Sequence, residues 1–160
     1  SCAKEVIGVD ISEYACDVAT ENAILNGLDE RVRFVTANAF DLLSEQSRKG
    51  EKYDVIILDP PAFTKTKSAV GSAIRGYKEI NLRAMKMIEA GGYLVTCSCS
   101  QHVHPDMFRE MINSAAKDAR VLLRQVEFRT QAKDHPTLPY ASATEYLKCG
   151  IYQVFPIIDL

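Results

Sequence analysis

Two stretches of this 160-residue chain have residue types and spacing suited to chemistry. One is Asp59-Pro60-Pro61-Ala62-Phe63, which follows the apolar run 55–58. Four consecutive apolar residues bounded by Asp54 and Asp59 read as a strand buried on both faces. Pro60 and Pro61 have no N–H for a ladder and restrict the residues before them, so pairing stops there. Asp59 is thereby fixed at the carboxyl end of a central strand, the edge where open α/β sheets bind ligands. Position alone is equally compatible with a strand that ends in a turn. The other stretch is Thr96-Cys97-Ser98-Cys99-Ser100. Strand alternation points Cys97 and Cys99 the same way. Cys97 lies inside an apolar run and reads as packing. Cys99, at the polar end and across from Asp59, is the candidate nucleophile. Cys97, Cys99, His102 and His104 also form a C-x-C-x2-H-x-H string. Its spacing is tighter than zinc sites use, and no metal centre is expected.

Two further strand ends are polar. Asp10 closes a short apolar run, where an acid accepts hydrogen bonds from ribose hydroxyls or caps the next helix. Asn38 precedes Ala39 and Phe40, and its amide either meets an adenine edge or caps a short helix. Between residues 65 and 86 stand six basic side chains (Lys65, Lys67, Arg75, Lys78, Arg83, Lys86) against the single acid Glu79. Such a run contacts phosphates or forms a solvated helix face; for Arg83 and Lys86 the solvated face is at least as good a reading.

The elements that must position these groups follow from periodicity. Strands are expected at 5–10, 32–36, 53–58, 93–97, 121–128 and around 147–155. Helices are expected after Ser12, at 42–46, at 80–90 with a stop at Gly91-Gly92, and after Pro105. Residues 64–76, polar and containing two glycines, read as a mobile loop, and 134–140 as a proline-rich one. The alternation predicts an α/β fold: a Rossmann-like doubly wound, mostly parallel sheet with an antiparallel last strand, its closing pair forming a hairpin at one edge.

Composition is that of an ordinary globular chain, 47% hydrophobic and 25% charged. The formal charge of -2 gives no global attraction to nucleic acid, so any such contact must be a local patch. Five cysteines, an odd number without a CxxC pair, point to reduced thiols and a cytoplasmic setting. No apolar run reaches membrane-spanning length, and no membrane partner is expected. The length suits one domain, residues 1–160.

Taken together, VIGVDIS, LDPPAF, GGYLVTCSCS, Asp134-His135-Pro136 and Glu145-Tyr146-Leu147-Lys148 resemble the RlmI-type class I methyltransferases, over nearly the whole chain. The resemblance implies S-adenosylmethionine as cofactor, ribosomal RNA as partner and 5-methylcytosine in large-subunit RNA as product. It implies cofactor contacts from Asp10, Ile11, Asn38, Ala39, Phe40 and Asp59, although many relatives carry an acid where this chain has Asn38. It implies Cys99 and Asp59 as catalytic residues, and RNA contacts from Pro60, Pro61, Phe63, Lys65, Lys67, Arg75 and Lys78. Other RNA cytosine methyltransferases place a second cysteine where this chain has Ala62. The related guanine-N7 enzymes lack the cysteine at position 99, which makes Cys99 the discriminating residue.

In that family a strand, a glycine-rich loop and a helix precede the segment that begins at Lys4, and the strand lies between those ending at Asp10 and Asp59. The chain is therefore expected to be an N-terminally incomplete methyltransferase fold. Alone it is expected to bind S-adenosylmethionine weakly or not at all, and to complete itself by homo-oligomerisation or strand exchange. The competing readings are a methyltransferase acting on another base or site of rRNA, and a non-catalytic remnant that binds RNA or protein.

Overall fold

A computed structural model describes residues 3–64, 66–141 and 144–157. The chain divides into two compact units, Ser1–Gln46 and Ser47–Leu160.

In the first unit, β1 (Val6–Asp10) and β2 (Val32–Thr36) form a two-stranded parallel sheet, paired from Val6 with Val32 to Asp10 with Thr36. Between them runs α1 (Glu13–Leu25). The Ser12 hydroxyl caps it by accepting the Ala15 N–H at 3.2 Å, and the Asp10 carboxylate accepts the Ser12 N–H at 2.8 Å. The next helix, α2 (Ala39–Lys49), is longer at both ends than expected. It starts early because the Asn38 side chain accepts the Phe40 N–H at 2.9 Å, supplying the orphan first turn with an acceptor. Arg48 and Lys49 extend it by lying where the helix dipole favours cations.

The second unit contains β3 (Tyr53–Leu58), a short 3-10 turn (Lys67–Ala69), α3 (Val70–Met87), β4 (Ile88–Ser98), α4 (Pro105–Ala119), β5 (Val121–Arg129) and β6 (Lys148–Pro156). Its sheet order is β3-β4-β6-β5. The β3–β4 pair is parallel, and β6 runs antiparallel to both of its neighbours. The closing antiparallel pair is present as expected, but the last strand lies inside the sheet and β5 forms its edge. Tyr77, Met85, Phe108, Ile112, Leu94 and Val154 fill the core.

Three expectations require correction. Residues 70–76 are helical. Ala73, Tyr77, Ile80 and Ala84 recur at helical spacing and are all buried, which outweighs the polarity of the other face. The helix also ends earlier, at Met87, and Ile88 is already extended. The glycines lie inside β4, where the pairing jumps from Tyr53–Ile88 to Val55–Tyr93. Gly91, at φ +85°, supplies the left-handed residue of this bulge. Finally, β3 is not buried on both faces. It forms an edge of its sheet, and Val55 and Ile57 are 51% and 67% exposed.

Candidate active site

Parallel pairing of Leu58 with Thr96 makes β3 and β4 finish together. Asp59-Pro60 and Ser98-Cys99-Ser100 therefore share one sheet edge. In β4 and just beyond it, Leu94, Thr96, Ser98 and Ser100 are buried, whereas Cys97 and Cys99 are half-buried. This matches the alternation expected of the two thiols. The Cys99 thiol donates to the Pro60 carbonyl at 4.0 Å, so it meets the Asp59-Pro60-Pro61 segment through backbone.

Cys97 pairs across the ladder with Cys149 on β6. Burial pushes the Cys97 thiol far above its ordinary range. A hydrogen bond with Cys149 and the negative charges available to Cys149, Asp59 and Cys99 push it the same way. Cys97 is thus held as a neutral thiol.

The serines flanking Cys99 are fully buried and bonded. The Ser98 hydroxyl accepts the Ser100 N–H at 3.3 Å. The Ser100 hydroxyl shares a 2.8 Å hydrogen bond with the Tyr77 hydroxyl on α3. Tyr77 also accepts the Phe63 N–H at 3.5 Å and stacks on the Phe63 ring at 4.4 Å. One tyrosine thereby ties the segments after β3 and β4 together. From β6, the Lys148 ammonium donates to the Ser100 carbonyl at 2.7 Å and to the Tyr146 carbonyl at 2.8 Å. Sequence reasoning assigned neither Tyr77 nor Lys148 to the site. The available signal for Tyr77 was its spacing from Ala73 and Ile80; a lysine carries no signal for burial.

The first unit gathers the remaining candidates at one end of its own sheet. The Ala37 N–H extends the β1–β2 ladder to the Asp10 carbonyl at 2.9 Å, bringing Asp10 and Ile11 beside Asn38, Ala39 and Phe40. The Asn38 oxygen serves as the cap of α2. Asp10 is exposed, Ile11 is 73% exposed, and Phe40 is partly exposed. An exposed carboxylate between exposed apolar side chains fits a nucleoside, whose ribose donates hydrogen bonds and whose base stacks.

Among the residues assigned to RNA, Pro61, Lys67 and Arg75 are exposed, while Pro60 and Phe63 are half-buried. Lys78 is engaged elsewhere, in a 2.7 Å ion pair with Asp118 that holds the Asp118 carboxyl below its usual range. Arg83 is likewise paired, with Glu79. Lys65 lies outside the described residues. No described helix is long and apolar enough to cross a membrane.

A family model described as a methyltransferase domain matches residues 2–142. Ribosomal RNA large subunit methyltransferase I of Aeromonas salmonicida is 45% identical over 84% of the chain and 34% of its own length. A putative ribosomal RNA large subunit methyltransferase of Methanocaldococcus jannaschii is 43% identical over 91% of the chain and 37% of its own length. The chain thus spans about a third of these curated relatives. A solved putative SAM-dependent methyltransferase from Streptococcus mutans superposes with a TM-score of 0.79 at 17% identity, covering 93% of the chain and 38% of that structure.

Proposed function

The chain belongs to the methyltransferase domain family, and we propose that it is the catalytic part of an S-adenosylmethionine-dependent methyltransferase acting on cytosine C5 of large-subunit ribosomal RNA through a covalent Cys99 adduct. The observation that carries this reading is the Cys99 thiol 4.0 Å from the Pro60 carbonyl, next to Asp59. Cys97, the competing thiol, is kept protonated by its surroundings.

Cytosine C5 is too weak a nucleophile to be alkylated directly. Addition of the Cys99 thiolate at C6 makes C5 enamine-like and raises its electron density. Asp59 in its acid form donates a proton to ring N3, drawing electrons from C6 and favouring that addition, and takes the proton back on release. S-adenosylmethionine would supply the electrophilic methyl group, and in the first unit Asp10, Ile11, Asn38, Ala39 and Phe40 would hold it. Loss of the C5 proton and breakage of the Cys99–C6 bond then restore the aromatic ring and the thiolate. Ala62 carries no acid or base, so release uses a group other than the side chain at that position. Exposed Lys67 and Arg75 meet RNA phosphates beside the site. Lys78 is the weaker candidate because Asp118 already neutralises it.

The test is incubation of the full-length protein and S-adenosylmethionine with RNA containing 5-fluorocytosine. Fluorine at C5 cannot leave as a proton, so the covalent species accumulates. A protein–RNA adduct is expected in the parent and in Cys97→Ala, and its loss in Cys99→Ala. An adduct that survives Cys99→Ala, or that is lost only in Cys97→Ala, overturns the assignment.

A further inference from the structure

Lys148 is the unusual buried group of the second unit. Its side chain is 0% exposed, on the sheet face that also carries Ser98 and Ser100. Among the described residues no carboxylate pairs with it, and its ammonium is met by the Ser100 and Tyr146 carbonyls. Two carbonyls use two of three donors, and an ammonium buried without a counter-ion is unfavourable. Burial accordingly lowers its pKa to about 8, and the negative charge available to Cys99 acts in the opposite direction. That interaction is reciprocal: whatever the thiolate does for the ammonium, the ammonium does for the thiolate.

We propose that Lys148 is a positioning residue for Cys99, anchoring the Ser100 carbonyl so that the thiol faces Pro60 and supplying the positive charge that the thiolate needs. This rests on the reading of Cys99 as the nucleophile. The titratable groups around the neighbouring Cys97–Cys149 pair do not supply that charge. Asp59 at the end of β3, Cys97 on β4 and Cys149 on β6 each become negative on ionising, and Tyr77 on α3 is reached through Ser100. Arg129 on β5 is cationic, but it is paired with Glu127. Lys148 is charged in the neutral range and loses its proton as pH rises through about 8. Its support for the thiolate is therefore present near pH 7 and fades above that point.

Alkylation by iodoacetamide, followed at Cys99 by mass spectrometry across pH in the full chain, distinguishes charge from mere support. Lys148→Met is expected to slow Cys99 alkylation about tenfold at pH 7. The deficit should shrink as pH rises through about 8, where Lys148 itself gives up its charge. No deficit, or an equal deficit at every pH, overturns the proposal. Should the Met variant fail to fold, nitrogen NMR of the Lys148 ammonium decides. Cys99→Ala should lower its titration midpoint, and an unchanged midpoint overturns the pairing. An RNA adduct with an unmoved alkylation profile would sink this inference alone. A shifted profile without an adduct would sink the assigned nucleophile and leave the pairing standing.

Discussion

Ser100 is where the residue-scale argument is tightest. Its N–H, hydroxyl and carbonyl are each used, by Ser98, Tyr77 and Lys148. Cys99 is thus tethered to a residue with little freedom, although its own side chain is half-buried. Pre-organisation of this kind matters because a misplaced nucleophile loses rate far faster than it loses binding. Tyr77→Phe keeps the ring stacked on Phe63 and removes only the hydroxyl. The Ser100 hydroxyl is then left buried without that partner, at a cost of about 1–3 kcal/mol. The expected result is a melting temperature lower by about 2–4 °C per kcal/mol at this chain length. 5-Fluorocytosine adduct formation should slow while RNA affinity stays near that of the parent. Unchanged adduct kinetics would show that Tyr77 does not hold the loop. The places of Asp59 and Cys99 at the ends of β3 and β4 were legible in the sequence because each follows an apolar run and stands among polar or turn-forming residues. Tyr77 and Lys148 were not, since hydrogen bonds to a loop far away in the chain leave no local pattern.

At the scale of elements, what sets the two loops side by side is the β3–β4 register, and the bulge at Gly91-Gly92 sets that register. A Cβ on Gly92 would lie 2.6 Å from the Asp54 carbonyl and 2.8 Å from the Ile88 side chain. The first neighbour is backbone, so it cannot yield without moving β3. Gly92→Ala is expected to destabilise the chain by about 1–3 kcal/mol, the usual range for overpacking. Denaturant unfolding measures this, and a midpoint equal to the parent's would show that the bulge is slack. The same glycines misled the sequence reading. A Gly-Gly pair after an apolar helical run is normally a stop signal, but here the chain has already turned extended at Ile88. The polar, glycine-containing start of α3 was missed for a related reason. Its helical signal lies in the small buried residue Ala73 and in Tyr77, one turn apart, rather than in a continuous apolar stripe. Strand positions were the most legible feature, because short apolar runs ending in turn residues have few other readings.

At the scale of the whole chain, the two units differ in how much apolar surface they bury. The second has a four-stranded sheet with α3 and α4 contributing Tyr77, Met85, Phe108 and Ile112 to its core. The first rests on two strands, and its buried apolar residues are Cys16, Ala23 and Leu43 among those described. Val6 and Val9 on β1 and Ile24 and Leu25 on α1 stay exposed. Burial contributes about 25 cal/mol per Å² of apolar surface removed from water. A two-stranded sheet with α1 and most of α2 is therefore near the lower limit of what holds itself together. Local opening should follow that asymmetry. Hydrogen exchange of the 160-residue chain is expected to be at least about 100-fold faster at the amides of β1 and β2 than at those of β4 and β6, a gap of about 2.7 kcal/mol. Equal protection in the two sheets would overturn this ordering. The consequence for function is specific. Asp10, Ile11, Asn38 and Phe40 belong to the unit expected to exchange faster, whereas Asp59 and Cys99 belong to the other. A ligand that orders the first unit should raise its protection by the binding free energy while leaving the amides of β4 and β6 unchanged.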